Sequence, residues 1–160
     1  MVGAVFLDRD GVINELVWHD GEWGAPRHID EIKLVDGINT LISALNKHYL
    51  LFVVSNQPDA AKGYTPYENH MKVLKWFENV YRHDIIAFYW CLHHPLKCQC
   101  LCRKPGTWSV EQAITKYDID RSKSYFIGDR DTDIECGVAA GLNTIKVIDY
   151  NLEEIYRKLL

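Results

Sequence analysis

Val2-Gly3-Ala4-Val5-Phe6-Leu7-Asp8-Arg9-Asp10-Gly11 is a short apolar run that stops on two aspartates and a glycine. A run of that length, β-favouring and bounded by a turn residue, reads as a buried strand, so the acidic pair falls just past its carboxyl end. Similar runs recur at Leu50–Val54, Ile85–Trp90, Ser124–Ile127 and Thr144–Ile148. Between most of them lie stripes of helical period: Ile38, Leu41, Ile42 and Leu45; Met71, Leu74, Phe77 and Tyr81; Val110, Ala113, Ile114 and Tyr117. Strands alternating with helices predict an α/β fold, a Rossmann-like parallel sheet with helices on both faces. Thr65-Pro66, Asp131-Thr132 and Asn151 are the expected helix starts. Asn14–Asp36 holds Trp18, Gly21, Trp23, Gly24 and Pro26 without clear period, and is expected to be one long loop.

A chain of 160 residues, 48% hydrophobic and 25% charged, fits a single domain spanning 1–160. The formal net charge of -4 comes with interspersed signs, so there is no basic stripe to track a nucleic-acid backbone. No apolar run approaches the roughly 20 residues needed to span a bilayer, and Met1–Asp8 is too short and too soon acidic for a secretory leader. A cytoplasmic monomer acting on a small molecule, with neither nucleic acid nor membrane as partner, is the expectation.

In an open parallel sheet, ligands bind beyond the carboxyl ends of the strands. Three predicted strands end on polar groups: Asp8-Arg9-Asp10-Gly11, Ser55-Asn56-Gln57, and Gly128-Asp129-Arg130-Asp131-Thr132-Asp133. Converging Asp8, Asp10 and Asp129 repel one another unless a cation joins them, and hard oxygen ligands with room for water and phosphate suit Mg²⁺. With that cation, Lys104 in Arg103-Lys104-Pro105-Gly106 would help neutralise a transferring phosphoryl group. Asp8 is the candidate nucleophile toward phosphorus, and Asp10, two residues on, the candidate acid and base.

Four motifs in order, Asp8-x-Asp10-Gly11, Ser55-Asn56, Lys104-Pro105 and Gly128-Asp129-x-x-x-Asp133, resemble those of the haloacid dehalogenase superfamily of phosphatases. The resemblance runs from Asp8 to about Asp133. It implies a phosphoaspartate on Asp8, a backbone carbonyl of Asp10 on the magnesium, Ser55 as a phosphate donor with Asn56 beside it, and Asp129 completing the metal site. Asp133 would act through water or by orienting its neighbours. The chain is too short for the separate cap domain that many members use, so specificity must come from loops: Trp18, His19, Trp23, Arg27 and His28 on one side, Arg103 on the other.

After the strand Ile85–Trp90, Cys91-x-His93 and Cys100-x-Cys102 supply three thiolates and an imidazole, a closed tetrahedral set for a structural Zn²⁺. Cys98 and His94 are alternative members, and Cys136 is expected in the core. A Cys-x-His and Cys-x-Cys loop leading into Arg103-Lys104-Pro105 resembles the branch containing heptose-1,7-bisphosphate 7-phosphatases and histidinol-phosphate phosphatases. The resemblance implies the first substrate, with histidinol phosphate as the alternative, and a zinc-stabilised binding module without catalysis as the rival of another class. Gln57-Pro58-Asp59-Ala60-Ala61-Lys62-Gly63 departs from that branch's usual Gln-Ser-Gly-Ile-Ala-Arg-Gly, where substrate preference would be set. Lys62 joins Arg27, His28 and Arg103 as a candidate for a second phosphate. Glu15, Asp20 and Glu22 with the two tryptophans would suit an amine and an imidazole.

Overall fold

The computed structural model describes residues 1–160. Five parallel strands form the central sheet: β1 (Ala4–Leu7), β4 (Leu50–Asn56), β5 (Ala87–Cys91), β6 (Tyr125–Gly128) and β7 (Asn143–Lys146), in the order β5-β4-β1-β6-β7. The expected sheet is therefore present, with strand ends moved by no more than two residues. The remaining strands, β2 (Val17–His19) and β3 (Glu22–Gly24), make a separate antiparallel hairpin. That hairpin corrects the single long loop expected for Asn14–Asp36. Its three-residue arms are too short to carry a periodic signal, and Asp20 and Gly21, both at positive φ, make its turn.

Alternation along the strands sorts the core into two layers. Val5, Leu7, Leu51, Val53, Ile127 and Ile145 face one side of the sheet. There they meet α1 (Ile38–Leu45), α2 (Tyr67–Val80) and α5 (Glu153–Leu159) through Leu41, Val73, Phe77 and Ile155. Phe6, Phe52, Val54 and Phe126 face the other, against α3 (Trp108–Tyr117) and α4 (Asp131–Ala139). Each large side chain so buried contributes about 1.5–3 kcal/mol. Cys136 lies in this second layer, as expected, its thiol 3.4 Å from the Gly106 carbonyl.

The helix starts are met unevenly. Asn151 accepts a hydrogen bond from the Glu153 amide at 2.9 Å, as a cap should. Thr65 does not cap α2: its hydroxyl reaches instead toward the Arg27 carbonyl at 3.5 Å. At α4 the capping carboxylate is that of Asp133, which accepts from the Arg130 amide at 3.1 Å. No helix is long and apolar enough to cross a membrane.

The strand order reverses at β1: the chain runs outward through β4 and β5, then crosses to β6 and β7 on the other side. That reversal opens a crevice beyond the carboxyl end of β1, where Asp8 stands. Helix α4 presses close to β6 and β7, and a β-carbon added at Gly137 would fall 2.6 Å from the Thr144 methyl and 2.8 Å from the Phe126 β-carbon. Gly137→Ala should therefore overpack this layer and lower unfolding stability by about 1–3 kcal/mol. Urea unfolding checks it, as a lower midpoint with an unchanged slope.

Candidate active site

β1 pairs with β6 up to its last residue, and the Asp8 amide continues the ladder by donating to the Ile127 carbonyl at 2.9 Å. Beyond Asp8 the chain turns sharply, and the amides of Val12, Ile13 and Asn14 all converge on the Arg9 carbonyl. Gly11 sits in this turn at φ +89, and a β-carbon there would collide with the Asp129 carboxylate. Only glycine brings the turn that close to the end of β6.

Lys104 is the hub of the crevice. Its buried ammonium donates to Asp8 Oδ1 at 2.9 Å and to the Val54 carbonyl at 2.8 Å, and pairs with Asp133 Oδ1 at 2.6 Å. All three of its protons thus have acceptors. Burial alone would lower its pKa, but the charges of Asp8 and Asp133 raise it above the ordinary value. The Asn56 side chain clasps the Lys104 backbone from both sides, accepting from its amide at 3.0 Å and donating to its carbonyl at 3.2 Å.

Carboxylate oxygens of Asp8, Asp129 and Asp133 lie within 4.8 Å of one another. Burial pushes the Asp8 carboxyl up to about 7, against the pull of Lys104 and with help from Asp133, Asp10 and Asp129. Asp129 is also raised, chiefly by burial and then by Asp133, and its Oδ1 is buried without a partner. Three crowded carboxylates, one of them with an orphaned oxygen and only one lysine to offset their charge, make a donor set that fits a small divalent cation. Asp10 lies beside this set, with both of its carboxylate oxygens already accepting protein hydrogen bonds.

The expected residues are brought together with three differences. Asp8, Asp10, Asn56, Arg103, Lys104 and Asp133 line one cleft of about 430 Å³. Ser55 is buried behind it, its hydroxyl accepting from Gln57 Nε2 at 2.9 Å, and does not line the cleft. Asp133, expected to act through water or by orienting its neighbours, has an oxygen within the carboxylate group itself, whereas Asp129 belongs to that group without lining the cleft. The aromatic loop is the third difference: Trp18, His19, Trp23, Arg27 and His28 do not line the cleft. Trp18 and Trp23, 55% and 60% exposed, pack on each other edge to face at 5.1 Å. Arg27 is tied to Asp59 at 3.2 Å and lies over the Tyr64 ring. The hairpin reaches the cleft only through Gly24 and Ala25.

Three residues passed over in the sequence prove central. Arg9 is fully buried and Gln57 nearly so, and both hold Asp10, while Arg130 lines the cleft. The available signal was position: each sits at or just beyond a strand end, Arg130 lining the crevice and Arg9 and Gln57 buried beside it.

Ahead of Arg103, the Sγ atoms of Cys91, Cys100 and Cys102 and a ring nitrogen of His93 form a second cluster. Cys91 Sγ is 3.5 Å from His93 Nδ1 and 3.6 Å from Cys100 Sγ, and Cys102 Sγ is 3.2 Å from His93 Nδ1. Tetrahedral ligands about 2.0–2.3 Å from zinc lie roughly 3.3–3.8 Å apart, and the three distances fall in or just below that range, so the spacing fits that ion. Cys98 is exposed outside the cluster, and His94 Nδ1 accepts from the Leu96 and Lys97 amides.

A doubly wound sheet that delivers an Asp-x-Asp pair, a lysine and further carboxylates to its switch point is the construction of a haloacid dehalogenase-like hydrolase. The HAD-hydrolase-like family pattern matches residues 101–149. The chain is 32% identical over 151 residues to D-glycero-beta-D-manno-heptose-1,7-bisphosphate 7-phosphatase of Haemophilus ducreyi, covering 88% of this chain and 80% of the relative. It is 31% identical over 155 residues to the D-glycero-alpha-D-manno-heptose enzyme of Campylobacter jejuni, covering 94% and 85%. The crystal structure of D,D-heptose 1,7-bisphosphate phosphatase from B. bronchiseptica, complexed with magnesium and phosphate, superimposes with a TM-score of 0.75 at 22% identity, covering 89% of this chain and 79% of that one. Similarity of this extent makes the chain a member of the haloacid dehalogenase-like phosphatase family that includes the heptose-1,7-bisphosphate 7-phosphatases.

Proposed function

We propose that residues 1–160 form one magnesium-dependent phosphatase domain that removes a phosphate from a sugar bisphosphate through a phosphoaspartate on Asp8, with heptose 1,7-bisphosphate cleaved at its 7-phosphate. The observation that carries this reading is the Asp8–Lys104–Asp133 ion-pair group, set beside Asp10 in a cleft open to solvent. Lys104 anchors Asp8 Oδ1, which fixes the carboxylate that attacks phosphorus. Asp10 gives a proton to the departing sugar oxygen, then takes one from the water that hydrolyses the acyl phosphate. Mg²⁺ held by Asp8, Asp129 and the Asp10 carbonyl would neutralise negative charge on the phosphoryl group. Asp133 holds Lys104 and caps α4, so it keeps two parts of the site in register. Zn²⁺ held by Cys91, His93, Cys100 and Cys102 would have no open position, and would shape the loop that presents Arg103 and Lys104.

The charges lining the cleft favour the bisphosphate over histidinol phosphate. Both free acids of the rim are already paired, Asp59 with Arg27 and Asp131 with Lys146 at 2.6 Å. Lys62, Arg103 and Arg130 line the same cleft without ion pairs, and Arg103 Nη1 is buried without a partner. Free cations suit a second phosphate. Glu15, Asp20, Glu22 and the tryptophans, the set suited to an amine and an imidazole, lie outside the cleft, and Glu15 is paired with Lys33 at 3.1 Å. The named relatives act on the alpha and the beta anomer, so the reading extends to the bisphosphate and not to one anomer.

Asp8→Asn should abolish turnover, whereas Asp10→Asn should still accept phosphate on Asp8 slowly and hydrolyse it poorly. Phosphate release and mass of the trapped intermediate distinguish them, and near-normal turnover of the Asp8 variant would refute the mechanism. On substrate, kcat/KM for heptose 1,7-bisphosphate should exceed that for histidinol phosphate at least about tenfold, roughly 1.4 kcal/mol of transition-state binding. Arg103→Ala should narrow that gap. For the metals, protein purified without chelator should hold one zinc by elemental analysis, and EDTA followed by Mg²⁺ should restore activity while that zinc stays bound.

A further inference from the structure

The Asp10 carboxylate is gripped on both oxygens by side chains that do not themselves line the cleft. Oδ1 accepts from Arg9 Nε at 2.9 Å and from Asn14 Nδ2 at 3.0 Å, and Oδ2 accepts from Gln57 Nε2 at 2.6 Å. Gln57 is in turn braced: its Oε1 accepts from Arg9 Nη2 at 2.9 Å, its Nε2 also donates to Ser55 Oγ, and its backbone amide donates to the Cys91 carbonyl at 2.7 Å. Arg9 is the largest fully buried side chain of the molecule, with its guanidinium carbon 4.7 Å from the Phe77 ring centre and 5.6 Å from that of Trp90. Removing a guanidinium wholly from water is costly, and an apolar residue of similar volume would fill the space without that cost. Its only carboxylate partner is Asp10.

Resting on the phosphoaspartate reading above, we infer that Arg9 and Gln57 are positioning residues, which lock the Asp10 carboxylate in the one orientation that delivers a proton to the leaving-group oxygen. The terminal torsion of an aspartate is broad and rotates freely unless both oxygens are held. A carboxylate oxygen has two lone pairs. Those of Oδ1 are both used by Arg9 and Asn14, whereas Oδ2 has one donor and one place left. The travelling proton is therefore carried on Oδ2. As the Asp8 oxygen bonds to phosphorus and the ester P–O bond breaks, that proton passes from Oδ2 to the departing alkoxide. In the second step water oxygen bonds to phosphorus, the bond from phosphorus to Asp8 breaks, and the water's proton returns to Oδ2.

A group that only orients a general acid matters in proportion to how much the leaving group needs a proton. Sugar alkoxides need one and p-nitrophenolate does not. Gln57→Met keeps the volume and removes both donors. In the magnesium-loaded enzyme it should lower kcat/KM for the sugar bisphosphate about 100-fold and for p-nitrophenyl phosphate less than about threefold. Loss of the Ser55 bond acts on both esters alike, so the ratio isolates the effect on Asp10. Arg9→Lys keeps a buried cation but loses the fork, and should give the same selectivity at about tenfold. It decides the matter if Gln57→Met does not fold. Equal losses on the two esters, or no loss on the sugar, would overturn the positioning role while trapped phosphoaspartate in the unmodified enzyme leaves the mechanism standing. Failure of the unmodified enzyme to label at Asp8 would overturn that mechanism and this inference together.

Discussion

Everything at the crevice depends on one buried ammonium. Lys104 lies between Asp8 and Asp133, and a lysine removed from water is tolerated only where each proton finds an acceptor. The acceptors come from β1, from the end of β4 and from the start of α4, so satisfying one charge brings three elements into register. Asn56 completes the arrangement by holding the Lys104 backbone, which commits the strand β4 to the loop that follows the cysteine cluster. The same geometry leaves more negative charge than one lysine neutralises, and this excess, not any single residue, is what makes the crevice a fit for a divalent cation.

The constraint also explains where glycine is required. Asp129 and Asp8 approach only if the turn after β1 passes without a β-carbon, which Gly11 allows. At Gly128 a β-carbon would strike the Asp133 side chain, so the end of β6 stays bare where the helix-capping carboxylate reaches back to Lys104. Close packing of backbone against acid keeps the three carboxylates within a cation's reach.

The sheet, the cysteine-histidine cluster and the gathering of Asp8 with Asp129 were legible in the sequence because each leaves a local signature. Apolar runs such as Leu50–Val54 end on polar residues at fixed places, and Cys91-x-His93 with Cys100-x-Cys102 needs no distant partner to be recognised. What was not legible is which side chain answers which. Ser55 and Asn56 are the last two residues of β4, yet one turns behind the cleft toward Gln57 and the other clasps Lys104. Arg9, standing between two acids, gives no hint in sequence that it is buried against Phe77 and Trp90 from distant elements. The hairpin of Trp18 and Trp23 was hidden for a different reason: arms of three residues are shorter than the periods that would reveal them.

The cleft is bordered by loops, and each is tied from outside. The hairpin is joined to the loop after β4 by the Arg27–Asp59 pair and by Arg27 over Tyr64. The opposite wall is gathered by the cysteine cluster immediately before Arg103. In a largely buried ion pair such as this one the cost of desolvation offsets much of the Coulomb gain, so the net contribution to global stability is small. Its value at Arg27 is of another kind: it uses up the one acid of that rim which would compete for a cationic lysine or repel a substrate phosphate. Lys62 is thereby left facing the cleft with its charge uncompensated, opposite Arg103 and Arg130. The departure from the usual sequence at Gln57–Gly63 thus preserves the charge balance of the wall, because Asp59 arrives together with its own neutralising partner on the hairpin.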